Sequence, residues 1–179
     1  NTGRNTTVIR STYLQDPSAA LYEKARSLYE TMSQDLNYNV MFSPRGVIML
    51  AQTHHEVRGY QRTAHANALQ GVETEFIGPQ RVKELCPIIS LEGPRYPVMG
   101  GLWQPRGGPA RHDAVAWGYA RGADSRGVDI IQNCEVTGFR IENGVCRGVE
   151  TSRGPIKANK IAVCVAGSSS RVMQQAGLR

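Results

Sequence analysis

The sequence lacks the features that mark several large classes of protein. No apolar run approaches the roughly 20 residues that a membrane-spanning helix needs, so we expect no membrane role. Lysine is scarce, at 4 of the 21 basic residues, and the arginines are scattered along the chain. Because nucleic-acid binding calls for a basic patch on a recognisable motif, we expect no nucleic acid as a partner.

Cysteines are few and far apart. Cys86, Cys134, Cys146 and Cys164 form no C-x-x-C pair and have no neighbouring pair of histidines, which excludes the usual zinc frameworks. We therefore expect no metal site. Cys134 and Cys164 lie in apolar, strand-like runs, and this position predicts buried, reduced thiols.

Both ends of the sequence resemble the interior of a longer chain. There is no initiator methionine, residues 1–5 read as part of a loop, and the sequence stops just after a strand-like run and the start of a helix. We expect both ends to be cuts. The 179 residues, 40% hydrophobic and 20% charged, suit one globular domain or parts of two. Without a targeting segment in these residues, the default expectation is a cytoplasmic protein.

Helical patterns dominate the first two thirds. The clearest helix is predicted from Asp16, as its cap, to Met32, with Pro17 in the first turn and apolar residues at helical spacing. Thr53 and Glu56 form a capping box. The other predicted helices cover residues 53–69, 79–86 and 113–126.

Strand patterns include two hairpins and one buried run. Residues 40–42 and 47–50 predict a hairpin through a Pro/Gly turn, and Asn143-Gly144 is a strong hairpin signal in the last third. The run Lys160–Ala166 is almost continuously apolar, as in a strand buried on both faces of a parallel sheet. The remaining predicted strands are 75–77, 99–103, 128–131, 135–141, 145–151 and 156–157. Together the elements predict a mixed α/β fold.

Two places in the sequence are candidates for chemistry. A turn of small residues at 165–170 ends the buried strand, where a cofactor can approach the backbone and a helix N-terminus favours phosphate; many α/β proteins have such a turn without a ligand. His112 follows a Gly/Pro loop at a helix start, where the dipole disfavours the protonated ring and leaves a nitrogen free as nucleophile or ligand. The same residue could instead cap or pack. Arg4 and Arg10 could bind a carboxylate or flavin phosphate, or be solvated.

Three runs of sequence carry a family resemblance. They are RNTTVIRSTYL from Arg4, QDLNYNVMFSPRG from Gln34, and GGPARHDAVAWGYAR from Gly107. These resemble the beta subunits of heterotetrameric sarcosine oxidases, in the D-amino-acid-oxidase-like flavoprotein superfamily, and the similarity extends over essentially the whole chain. The third run is the most specific, because these subunits carry a covalent FMN at this histidine.

The resemblance implies a set of cofactor contacts. His112 would bind the 8α carbon of FMN through a ring nitrogen, with Arg111 beside it. A noncovalent FAD would lie against Ala166 and Gly167, with Val136 on its adenosine side, and Arg4 and Arg10 would also contact cofactor. Residues 1–110 would be a substrate-domain-like portion and residues 111–179 a FAD-domain-like portion. The G-x-G-x-x-G unit and the C-terminal part of such subunits are absent from these residues, so the isolated chain is expected to bind flavin poorly and to be inactive.

The resemblance also implies the reaction and its partners. The parent enzyme would oxidatively demethylate sarcosine to glycine, a one-carbon unit and hydrogen peroxide, with FAD accepting electrons and FMN relaying them to oxygen. Partners would be alpha, gamma and delta subunits, with tetrahydrofolate and NAD bound by a partner. No catalytic base is assigned. The alternatives are a related flavoenzyme acting on another amine, such as a dimethylglycine dehydrogenase-like or D-amino-acid-oxidase-like enzyme, and a noncatalytic assembly module.

Overall fold

The chain folds into two compact units. A computed structural model describes residues 2–93 and 95–178, which divide into units of residues 2–126 and 127–178. The first unit contains β1 Val8–Ile9, α1 Asp16–Asp35, β2 Val47–Ala51, α2 His54–Leu69, β3 Glu75–Ile77, α3 Pro79–Leu85, β4 Gly100–Gln104, β5 Gly108–Pro109 and α4 His112–Asp124. The second contains β6 Val136–Glu142, β7 Val145–Thr151, β8 Ile156–Lys157 and α5 Ser169–Gln175. The predicted mixed α/β class is confirmed.

Helix α4 lies in the first unit. The boundary between the two compact units is therefore at residue 126, whereas the sequence predicted a boundary at residue 110. The glycines of α4 explain its position. A Cβ at Gly118 would lie 3.2 Å from Leu36 and 3.3 Å from Tyr38, and one at Gly122 would lie 3.0 Å from Leu36. Their absent side chains let α4 approach the segment after α1 closely. The assignment of the portions to substrate and FAD domains stays a prediction.

Local signals placed the long helices well. The Thr53 hydroxyl accepts a hydrogen bond from the Glu56 amide at 3.2 Å, and the Glu56 carboxylate accepts one from the Gln52 amide at 2.9 Å. The predicted capping box is therefore present, and α2 ends at Leu69 as expected. Helix α1 differs slightly, because its N-cap is Gln15, without a side-chain cap, and it continues to Asp35.

The main sheet of the first unit has the antiparallel order β2–β4–β3. Leu102 on β4 pairs with Met49 on one side and Phe76 on the other, and helix α3 contributes Val82 to the buried core. The predicted hairpin of residues 40–42 with 47–50 is wrong, because β2 pairs with β4 and residues 40–42 are not a strand. The amide of Val40 donates to the Ser33 hydroxyl at 3.1 Å, which leaves it no strand partner.

A two-residue ladder leads into helix α4. Val8 pairs with Pro109 and Ile9 with Gly108, antiparallel. The Ala110 amide then donates to the Thr7 carbonyl at 2.9 Å. This ladder fixes the N-terminal loop beside the start of α4.

The second unit is a three-stranded antiparallel sheet, β6–β7–β8, followed by α5. The β6–β7 hairpin turns at Asn143 and Gly144, with φ of 51° and 76°, the left-handed values that favour Asn-Gly in a tight turn. This hairpin was predicted. The strand predicted at 128–131 is not formed, and its apolar side chains are exposed.

The run at residues 160–166 is also not a strand in the described residues. Every strand pair there is antiparallel and none involves this run. A strand buried on both faces needs hydrogen-bonded neighbours, and the 127–178 unit provides none for it. Cys164, which lies in this run, is therefore exposed. Cys134 is half-buried, so the expected burial is wrong for both; all four cysteines are free.

Candidate cofactor site

A cavity of about 300 Å³ opens at the start of helix α4. His112, the first residue of that helix, forms part of its wall. The rest of the wall comes from the N-terminal loop, from one side chain of α1 and from residues on either side of His112. The lining residues are Thr2, Asn5, Thr6, Thr7, Val8, Ile9, Tyr29, Ala110, His112 and Val115.

The imidazole of His112 has one nitrogen buried in the protein. Its Nδ1 is buried and has no hydrogen-bond partner among residues 2–93 and 95–178. Leaving a buried polar atom without a partner costs about 1–3 kcal/mol. Such an atom in a native structure therefore calls for an explanation, for example a role in function. The other nitrogen, Nε2, faces the N-terminal loop, where a Cβ on Gly3 would lie 3.6 Å from it. His112 does not cap the helix, because the N-cap is Arg111.

Arg111 is turned away from this cavity. Its Nε donates to Asp113 Oδ1 at 2.9 Å and Oδ2 at 3.2 Å. That hydrogen bond from Arg111 is the main reason that the pKa of Asp113 is below its ordinary value. The guanidinium therefore neutralises the neighbouring carboxylate, and Arg111 does not line the cavity.

The cavity wall contains a strained residue that the sequence analysis did not single out as a site residue. Thr7 has a φ of 58°, a left-handed conformation that is an outlier for a β-branched side chain and costs about 1–2 kcal/mol. The Asn5 side chain holds it by accepting from the Thr7 amide at 2.7 Å. Residue type gives no signal for such strain, which gathers at functional sites.

Tyr29 is a second lining residue missed from the sequence. Tyr29 is at helical spacing from both Ala25 and Met32. That spacing is the sequence signal that would have placed Tyr29 on the inner face of α1. Its ring packs against Phe42 with centroids 5.7 Å apart. Burial raises the pKa of Tyr29 above its ordinary value, so its phenol stays neutral.

The two candidate arginines of the N-terminal segment lie outside the wall. Arg10 stacks its guanidinium on Tyr13, 4.7 Å from the ring centroid, and donates to the Thr12 hydroxyl at 2.8 Å. Arg4 is exposed in the loop, and neither arginine lines the cavity. The three remaining histidines are exposed on α2; they are His54, His55 and His65.

The second unit has its own cavity, of about 470 Å³. Val136 lines it together with Val165 and Ser168, and the FAD contact expected at Val136 stays a prediction. Ala166 and Gly167 are exposed and do not line it. Ala166 has a φ of 47° within a short turn, Ala166–Ser168, before α5.

The family model described as DAO, FAD dependent oxidoreductase, matches residues 1–179. The chain belongs to this family. The sarcosine oxidase subunit beta of Rhodobacter capsulatus is 65% identical over 179 residues, and that of Rhizobium meliloti 52%. Each alignment covers 100% of this chain and 43% of the relative, so the chain spans less than half the length of these proteins.

A solved structure supports the same fold. L-proline dehydrogenase from P. horikoshii matches with a TM-score of 0.92 at 24% identity, over 100% of this chain and 46% of that one. At that identity the likeness shows the fold alone. No helix within residues 2–93 and 95–178 is long and apolar enough to cross a membrane, and no cluster of metal-binding side chains occurs among these residues.

Family membership implies FAD, and the residues present fit part of such a cofactor. Val136, Val165 and neighbouring apolar side chains give one wall of a cavity suited to an aromatic or ribosyl group. The glycine-rich G-x-G-x-x-G turn that holds a dinucleotide pyrophosphate does not occur in these 179 residues.

Proposed function

We propose that this chain is part of a flavin-dependent enzyme subunit that oxidatively demethylates sarcosine to glycine, a one-carbon unit and hydrogen peroxide. The proposal is supported by 65% identity, over every residue of the chain, to a sarcosine oxidase subunit beta. The observation that carries it is His112, whose buried Nδ1 has no partner in the described residues beside a cavity of about 300 Å³. A histidine held in this way is suited to carry a covalent flavin.

We propose Nε2 of His112 as the atom that binds the 8α carbon of FMN. Nδ1 is buried against protein, which leaves Nε2 on the side of the N-terminal loop. The same cavity is lined by Thr6, Thr7 and Tyr29, whose hydroxyl groups would hydrogen-bond polar atoms of the group. A bound flavin supplies the two-electron acceptor that amine oxidation requires, while the protein supplies position and electrostatics.

The noncovalent FAD would lie against the cavity of the second unit, with Val136 as a contact and Ala166 and Gly167 beside it. The N-terminal arginines, Arg4 and Arg10, are proposed to act on phosphate or substrate carboxylate in the full-length protein, as forked donors do. Arg111 would support His112 by neutralising the carboxylate of the next residue.

The proposed assembly is a cytoplasmic heterotetramer. This chain would belong to the beta subunit, joined by alpha, gamma and delta subunits. A partner subunit would bind NAD and tetrahydrofolate, and the folate would take up the one-carbon unit. The two relatives are each a subunit beta, which supports a multi-subunit enzyme.

A peptide mass map tests the His112 attachment. Trypsin cleaves after Arg111 and Arg121 and releases a peptide with His112 as its only histidine. The full-length protein, purified with its partners and denatured, is expected to carry FMN on that peptide. The peptides with the exposed histidines of α2 serve as internal controls. An unmodified 112–121 peptide from a folded, flavin-containing complex would remove the covalent-FMN proposal.

A substrate panel separates sarcosine from its alternatives. Sarcosine should reduce the bound flavin fastest, with dimethylglycine and D-amino acids as competing substrates. Faster reduction by dimethylglycine would favour the related dehydrogenase. A folded, partner-bound complex that contains no flavin would favour the noncatalytic module.

A further inference from the structure

A continuous chain of polar contacts runs behind the His112 cavity. The Gln104 side chain accepts from the Ser11 amide at 2.9 Å and donates to the Ser11 hydroxyl at 2.6 Å. The Ser11 hydroxyl donates to Glu23, and Arg26 Nε donates to the same Glu23 carboxylate at 3.0 Å. These contacts join β4, the segment after β1 and helix α1.

The series of polar contacts returns to the segment of Gln104, where it began. Arg26 Nη1 donates to Glu30 at 2.7 Å, one turn further along α1. Arg106 donates to the Glu30 carboxylate through two nitrogens, Nε to Oε1 at 3.1 Å and Nη2 to Oε2 at 2.7 Å. Because Gln104 and Arg106 are two residues apart, the backbone between them closes these contacts into a ring. We call Ser11, Glu23, Arg26, Glu30, Gln104 and Arg106 the Arg26 network.

The charges of the Arg26 network balance. The Arg26 side chain is 1% exposed. Partial burial alone would raise the pKa of Glu23, but hydrogen bonds from Arg26 and Ser11 outweigh it and hold that pKa below its ordinary value. The hydrogen bond from Arg106 is the main cause of a lowered pKa at Glu30. Two anions therefore face two cations at neutral pH, and such a fully satisfied network is rigid.

Each segment in the network continues directly into a wall of the cavity. Ser11 follows the lining residue Ile9 by two positions, and Glu30 follows Tyr29 directly. Arg106 precedes β5, which pairs with β1 and leads through Ala110 to His112. The network thus joins the three segments whose spacing defines the cavity.

We propose that Arg106 is a positioning residue, which closes the Arg26 network and thereby sets the geometry of the His112 ring for attachment of a flavin. The inference rests on the proposed function, since it concerns the same histidine. Arg106 does not line the cavity and acts through the backbone of residues 107–112. Attachment would replace one C–H bond of the 8α carbon and the N–H bond of Nε2 by a C–N bond, and oxygen, the acceptor in the proposed reaction, would take up the two electrons and two protons as hydrogen peroxide. This step needs the two reacting atoms held in near-attack geometry, where a misplacement of about 1 Å can cost on the order of a hundredfold in rate.

The chain offers a matched control for Arg106. Arg81 pairs with Glu84 at 2.7 Å, and its side chain is 50% exposed. Arg106 likewise pairs with Glu30 at 2.7 Å, and its side chain is 51% exposed. Exposed ion pairs contribute little to stability, so Arg106→Gln and Arg81→Gln should both fold. Only the first opens the network.

The two variants are compared in the full-length protein with its partners, made flavin-free and reconstituted with FMN and FAD. Attachment to the 112–121 peptide is expected to slow by at least about tenfold in Arg106→Gln and to be unchanged in Arg81→Gln. Total bound FMN, covalent plus noncovalent, should stay equal in both. An equal attachment rate in the two variants overturns the proposal, and so does a parallel loss of all FMN binding in Arg106→Gln.

Amide hydrogen exchange in the same flavin-free proteins separates this inference from the proposed function. Arg106→Gln is expected to speed exchange in residues 5–9 and 108–112 but not in helix α2, and Arg81→Gln should leave all these segments unchanged. If wild-type His112 carries no flavin, the proposed attachment fails, and the exchange result alone decides whether Arg106 positions this site. Unchanged exchange in Arg106→Gln overturns the positioning role.

Discussion

Replacing Arg26 by methionine removes the central cation of the Arg26 network and keeps a side chain of similar length. Arg26 is 1% exposed, and its partners Glu23 and Glu30 are 26% and 32% exposed. The variant therefore leaves two carboxylates near each other without their shared cation. Ser11 and Arg106 still donate to one carboxylate each.

The expected loss of stability follows from this burial. Removing one partner of a fully buried ion pair costs roughly 3–5 kcal/mol, and partial access of water to both carboxylates places Arg26→Met near the lower end, at about 3 kcal/mol. For a chain of this size each kcal/mol lowers Tm by about 2–4 °C. Arg81→Met, which breaks an exposed pair, should cost at most about 1 kcal/mol.

Urea unfolding followed by circular dichroism measures this difference, because helices α1 to α4 all lie in the unit of residues 2–126. A loss in Arg26→Met no larger than that in Arg81→Met would refute the reasoning. Replacing both carboxylates as well, in Glu23→Gln/Arg26→Met/Glu30→Gln, should recover much of the loss, since neutral partners carry no uncompensated charge.

Two further predictions concern pH and glycine. The folded pKa values of Glu23 and Glu30 are below the ordinary 4.5. The stability that these two carboxylates contribute should therefore be complete above pH 4.5 and be lost as pH falls through the folded pKa values. The urea midpoint of Arg26→Met should then depend less on acid pH than the midpoint of the wild-type protein. Gly108→Ala should destabilise strongly, because its Cβ would overlap the Ser43 carbonyl, whereas Gly59→Ala in helix α2, with no atom within 4 Å, should stabilise by about 1 kcal/mol. Equal thermal shifts in the two glycine variants would contradict the packing argument.

Helix α2 and the β6–β7 hairpin could be predicted because their signals are local. A capping residue at Thr53 acts on an amide three residues away, and Asn143-Gly144 accepts the left-handed angles of a tight turn by its own chemistry. Neither signal depends on the rest of the chain. The sequence therefore places these elements to within a residue.

Strand partners could not be predicted in the same way. The run at residues 47–51 has the pattern of a strand, but its partner β4 begins only at Gly100. No signal in either segment specifies a partner so far away along the sequence. The apolar run at 160–166 has the pattern of a buried strand, but hydrogen-bonded neighbours make a strand of it, and the unit of residues 127–178 has none beside it. The apolar pattern of a segment indicates which kind of neighbour the segment packs against. Only the tertiary structure shows whether that neighbour is present.

The sequence by itself determined that His112 stands at the start of a helix, behind a Gly/Pro loop, and that Glu23, Arg26 and Glu30 share one helix at side-chain contact spacing. Only the tertiary structure decided that Arg26 is buried, that Nδ1 of His112 has no partner in the described residues, and that Tyr29 and the strained Thr7 line the same cavity. Caps and turns act over a few residues, whereas burial and convergence depend on segments up to a hundred residues apart, which only the folded chain brings together.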